Sequence, residues 1–111
     1  MGVTVSREAG VSEDRSTRII GQGLSARILA ERGHHAEAED LARSAVALAA
    51  DTDLLSERAD ALLDLAHVLA VAGRVPETRA AATEARELYQ RKGNLPGARE
   101  SLRYLAHYAP V

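Results

Sequence analysis

Cysteine, phenylalanine and tryptophan are absent from this 111-residue chain, and its only aromatic rings are Tyr89, Tyr104 and Tyr108. Without cysteine there are no disulfides and no thiolate metal ligands, so a reducing cytosol is permitted. β-Branched residues are too sparse for a sheet, whereas abundant alanine and leucine suit closely packed helices. No apolar run approaches the roughly 20 residues that span a bilayer, and the N-terminus lacks a basic start followed by an apolar segment. Charge of neither sign dominates: 14 Lys and Arg face 16 Asp and Glu, a net charge of −2. The two signs are interspersed, with no basic run of the kind that neutralises phosphates, so direct nucleic-acid binding is not expected. The expectation is a soluble cytoplasmic protein without membrane contact, of a length that suits one domain.

What is present is a repeat. Gly33-His34-His35-Ala36-Glu37-Ala38 returns 40 residues later as Gly73-Arg74-Val75-Pro76-Glu77-Thr78. At the same offset Arg18 meets Arg58, Ala26 meets Ala66, Leu29 meets Leu69, Ala30 meets Ala70, Ala42 meets Ala82, Ala45 meets Ala85 and Leu48 meets Leu88. A third copy opens as Leu55, Leu62, Leu65, Ala66 and His67 return as Leu95, Leu102, Leu105, Ala106 and His107. Periods of about 20 to 50 residues mark units that bury their apolar face only by stacking on neighbours.

Apolar spacing divides the repeats into five helices. Residues 1–11 hold two glycines and no sustained periodicity, so an extended or mobile lead-in is expected before a repeat domain over 12–109. Ser12 offers an N-cap for a first helix from Glu13 to Arg32, with Ile19, Ile20, Leu24, Ile28 and Leu29 as its apolar set and Gly33 as its stop. Gly21 and Gly23 inside it suggest a kink or a close helix contact. The second helix runs from about Ala36 to Ala50, with a stripe of Ala38, Leu41, Ala42, Ala45, Leu48 and Ala49. Asp53 is placed to cap a third, Leu54 to Ala72, with Leu55, Ala59, Leu62, Ala66 and Leu69 inward. Pro76 suits the start of a fourth, which Lys92-Gly93 ends, and Asn94 suits the cap of a fifth running toward Pro110.

A small residue within the first helix, a turn glycine, an alanine five residues on and another seven later together resemble the tetratricopeptide repeat. The first copy supplies Ala26, Gly33, Ala38 and Ala45, and the second supplies Ala66, Gly73, Thr78 and Ala85. Small side chains at those points let two helix backbones approach. Thr78 departs from the pattern, and so does the period, which exceeds the usual residue spacing of about 34. The stretches Ala30 to Gly33, Ala38 to Ala49, Arg58 to Ala66 and Tyr89 to Asn94 further resemble the helical-repeat tail of actinobacterial adenylate/guanylate cyclases and ATP-binding LuxR-type regulators. That resemblance covers about Ser12 to Leu105 and implies an all-α, right-handed superhelical array of antiparallel hairpins in a signalling or transcription-regulatory setting. Cyclase and nucleotide-binding signatures are missing from the chain, so the resemblance carries over no catalytic residue.

The other constellations are plain. Gly21-Gln22-Gly23 has no following lysine and no preceding strand, both of which a phosphate loop requires. The serines lie in no nucleophile elbow, and His34 and His35 are neighbours that do not share a helix face. Asp60 and Asp64, like Glu84 and Glu87, read as solvated faces. No enzyme activity, metal or cofactor is expected. In tetratricopeptide folds the first helix of each pair lines the groove, which assigns Arg27, Asp60, Leu63, His67, Glu100, Arg103 and His107 to a surface for a protein or peptide partner. Ile19, Ile20, Ile28, Leu102 and Leu105 fall at the ends of the array without polar caps, which favours a homodimer of the isolated chain. Structural self-association is thus the alternative function, and a small-molecule sensor a third.

Overall fold

Three glycines set where the helices stop. Gly33, Gly73 and Gly93 have φ of 87°, 78° and 82°, a left-handed conformation that costs glycine little. Around each, the chain closes the helix in the same way. The amide of the glycine donates to the carbonyl three residues back, and the next amide reaches five back: His34 to Leu29 at 2.9 Å, Arg74 to Leu69 at 3.0 Å and Asn94 to Tyr89 at 2.8 Å. The repeat seen in the sequence is therefore a repeat of turn geometry.

The computed structural model describes the backbone of residues 2–107 and the side chains of residues 15–106. It contains five helices: α1 (Gly2–Glu31), α2 (His35–Ala50), α3 (Leu55–Val71), α4 (Val75–Lys92) and α5 (Leu95–His107), with no strand among the described residues. The all-α class expected from composition is what the chain adopts. Short turns make chain neighbours antiparallel. Pro76 lies in the first turn of α4, and Asn94 caps α5 by accepting the Gly97 amide at 2.9 Å. At the start of α3 the cap differs from expectation. Asp53 makes no capping bond, and Thr52 instead donates to the Ala49 carbonyl at 2.8 Å and accepts from the Leu54 amide at 3.3 Å.

The largest difference is at the N-terminus. The helix begins at Gly2 and passes through Ser12, where a start near Glu13 and an extended lead-in over 1–11 were expected. A capping residue opens a helix only where the preceding backbone leaves helical φ and ψ, and no proline before Pro76 forces it to do so. Residues 108–111 lie outside the described residues, so the expected run to Pro110 is not covered.

Each helix packs on its chain neighbours, and α1 and α5 also pack on α3. Helices α2 and α4 do not pack on each other among the described residues. The result is two layers, α1, α3 and α5 in one and α2 and α4 in the other, 18 Å through the thinnest axis. Alanine sets the spacing: Ala26, Ala38, Ala42, Ala45, Ala59, Ala66, Ala82 and Ala85 are wholly buried where the helices cross. Thr78 is buried with them because its hydroxyl donates to the Arg74 carbonyl at 2.8 Å, so its extra oxygen is satisfied. Helix α3 is buried on several sides, with Ala61, Leu63, Leu65, Val68 and Ala70 joining the expected stripe. A second small cluster packs Ile19 against Ala45, Ala49 and Ala61.

Helix α5 approaches α4 so closely at Gly97 that a Cβ there would stand 2.6 and 2.7 Å from Tyr89 Cε1 and Cγ. Gly97→Ala is therefore expected to destabilise the chain by about 1–3 kcal/mol through overpacking, despite the better helix propensity of alanine. A thermal melt reads this as a drop of several degrees, and an unchanged midpoint would show that α5 does not seat on the Tyr89 ring.

Candidate functional site

Polar side chains cross the α1, α3, α5 layer in a row. Arg27 on α1 donates from Nε to Asp64 Oδ1 on α3, both half-buried. One turn on, the His67 ring of α3 joins two helices: Nε2 lies 3.0 Å from Glu31 Oε2 on α1, and Nδ1 lies 2.9 Å from the Tyr104 hydroxyl on α5. The His67 and Tyr104 rings meet edge to face, 6.1 Å apart at 86°. Arg27 also interacts with the Tyr104 phenol. From the second layer Tyr89 reaches across and donates its hydroxyl to Asp60. Burial, then that bond to Asp60, pushes the Tyr89 phenol far above its ordinary range, so it remains a donor at any working pH.

Close approach of α1 to α3 makes this row possible. A Cβ at Gly23 would overlap the Asp64 carboxylate, with Cγ at 2.9 Å, whereas a Cβ at Gly21 would meet nothing within 4 Å. Of the two glycines only Gly23 is required by the packing. Asp64, expected on a solvated face, is instead tucked under α1. Burial pushes its carboxyl above the ordinary 3.8, and this outweighs the lowering by Arg27.

Beside this row lies a cleft of about 190 Å³ between α1 and α3, lined by Ile19, Ile20, Leu24, Glu57, Asp60, Ala61 and Asp64. Its outer lip is a stripe on α1 at helical spacing: Ile20, Leu24 and Ile28 are 54%, 57% and 52% exposed. A second cleft, about 280 Å³, opens between α2 and α4 over Leu62, Leu65 and Leu69, with Arg43, Glu77 and Glu84 at its edges. Arg74 bridges Glu39 and Glu77 across these two helices, and Arg43 also holds Glu39 at 2.7 Å. The bond from Arg43, aided by the charge of Arg74, holds the Glu39 carboxyl below its ordinary value.

The residues expected to line a groove divide into several groups. Arg27, Asp60 and His67 belong to the polar row, and Leu63 is buried beneath it. Glu100 and Arg103 pair with each other at 2.8 Å on α5. The side chain of His107 lies outside the described residues. Among the residues expected at open array ends, Ile20, Ile28 and Leu102 are exposed, Leu105 packs against the main core, and Ile19 is 2% exposed inside the second cluster. Leu95, at the start of α5, is exposed as well. Sequence reasoning did not single out Glu31, Glu57, Tyr89 and Tyr104. The partners of Glu31, Tyr89 and Tyr104 lie 29 to 37 residues away, beyond any local spacing rule. Glu57 carried a usable signal, since Glu57, Asp60 and Asp64 follow the i, i+3, i+7 rhythm of one helix face.

No protein-family model, curated protein or solved structure matches the chain. Among the described residues no three His, Cys, Asp or Glu side chains are grouped to hold a metal ion, and no helix is long and apolar enough to cross a membrane.

Two stability predictions follow from the contact of α1 with α3. Gly21→Ala is expected to stabilise the chain by about 0.5–1 kcal/mol, because alanine at an open helical site lowers the entropy cost of folding. Gly23→Ala is expected to lower the melting temperature, because its methyl group displaces Asp64 from Arg27; equal effects of the two changes would refute the close contact. The pH dependence has a definite sign. Asp64 holds its proton more tightly folded than unfolded, so its contribution to stability declines as pH rises from 3.8 toward neutrality. The stability of wild type relative to Asp64→Asn should accordingly fall over that interval in melts at stepped pH, and a rise would mean that pairing with Arg27 outweighs burial.

Proposed function

We propose that the chain is a non-catalytic protein-interaction module that receives a partner segment on its α1, α3, α5 layer. The observation that carries this reading is the exposed Ile20, Leu24, Ile28 stripe running alongside the α1/α3 cleft. Burying three such side chains, each already about half covered, is worth a few kcal/mol, at roughly 1–1.5 kcal/mol each. Singly exposed apolar residues are ordinary, but an aligned stripe beside a concave site fits a docking face. The resemblance to tetratricopeptide repeats and to the repeat tails of cyclases and LuxR-type regulators supports a regulatory or scaffolding role in bacterial signalling. At about 190 and 280 Å³ these two clefts fall below the roughly 300–1,000 Å³ of pockets that enclose drug-sized ligands, so they suit a docked side chain better than a small molecule.

Selection of displayed random peptides on wild type and on Leu24→Glu tests the reading. Wild type should enrich ligand sequences that the folded variant does not retain, since the new charge sits in the middle of the stripe. Enrichment of the same sequences by both would contradict docking on this face. A second reading, homodimerisation, is favoured by exposed Leu95 and Leu102 on α5 together with the α1 stripe at the opposite end of the layer. Sedimentation equilibrium over a hundredfold dilution separates the two: a mass that falls with dilution supports the dimer, and a constant monomer mass leaves the face free for another protein.

A further inference from the structure

We propose that the α1/α3 cleft selects a partner segment bearing a basic side chain among apolar ones, the cation seating beside Glu57 and Asp60 while the apolar neighbours lie on Ile20, Leu24 and Ile28. This rests on the docking reading above and adds the chemistry of the partner. Three carboxylates, Glu57, Asp60 and Asp64, line a cleft whose remaining lining is Ile19, Ile20, Leu24 and Ala61. Among the described residues only Asp64 has a cationic partner there, Arg27. Asp60 receives the Tyr89 hydroxyl at Oδ1, a neutral donor that leaves its charge in place. Glu57 Oε2 is covered by protein yet accepts no hydrogen bond among the described residues.

A carboxylate at the wall of an apolar cleft that has no cationic partner among the described residues favours an arriving ammonium or guanidinium group. A neutral or acidic partner laid on the α1 stripe would instead shut Glu57 and Asp60 away from water without a counter-charge, the more unfavourable outcome. The volume, about 190 Å³, suits one long side chain and no more. From Ile20 to Ile28 the stripe covers two turns of α1, or roughly 12 Å at 1.5 Å per residue, the length over which two turns of an amphipathic helix present an apolar face.

Fluorescence anisotropy with two synthetic probes tests the proposal: an amphipathic peptide of about 18 residues built from leucine and lysine, and its counterpart with glutamate in place of lysine. The lysine peptide should bind wild type, with affinity falling as salt is raised, and the glutamate peptide should not. Glu57→Gln keeps the shape of the side chain and breaks no internal bond, so the fold should persist by circular dichroism while affinity for the lysine peptide falls roughly tenfold. Glu84→Gln, at the other cleft, should leave that affinity unchanged. Equal binding of both peptides, lost in Leu24→Glu but intact in Glu57→Gln, would overturn the cationic selection and leave docking on the stripe standing. Binding of neither peptide, or a loss in Glu84→Gln matching that in Glu57→Gln, would overturn the proposal, and the first of these would remove the docking reading with it.

Discussion

Close helix approach around α3 is the constraint on which the rest depends. Alanines without exposed surface at the crossings, and Gly23 against Asp64, bring backbones nearer than larger side chains would allow. Interiors packed in this way tolerate little change of volume, which makes the same few positions sensitive to a single added methyl group. Because α3 touches all four other helices, it is both the centre of the core and the element that carries the polar row. Its burial leaves few places for charge, and those places are used: Asp60 bonds to α4, Asp64 to α1, and His67 to both α1 and α5.

That polar row has a physical cost. Burial raises the pKa of Asp64, so its pair with Arg27 contributes less than its geometry suggests while still joining α1 to α3. His67 does the same for α1 and α5, which do not pack directly on one another among the described residues. Even so, among the described residues Glu57 and Asp60 have no cationic partner, and Ile20, Leu24 and Ile28 stay about half exposed. A row of paired polar groups thus borders a cleft in the same layer that is charged, apolar and open.

Much of the fold was legible because it is governed by local rules. Glycine at the three turns, proline in the first turn of α4, Asn94 at the cap of α5 and alanine at the helix crossings all act within a few residues of chain, and each does in space what its position suggested. The start of α1 was misread because a serine with the chemistry of a cap does not by itself interrupt a helix. Asp64 was misread as solvated, and Ile19 as open to solvent at the array end, because the depth of a helix face depends on what packs over it. The site was legible only in outline. The apolar set of the first helix and the acidic spacing on the third are both in the sequence, but nothing local shows that Gly23 lets them close on one cleft.

The central claim is that the α1, α3, α5 layer receives a basic, apolar segment. Amide chemical-shift mapping of the intact chain, titrated with the leucine–lysine peptide, tests it most directly. The account predicts changes concentrated at Ile20, Leu24, Glu57, Asp60 and Ala61, with α2 and α4 little altered. Changes concentrated instead at Arg43, Val46, Ala80 and Glu84, around the other cleft, would contradict it.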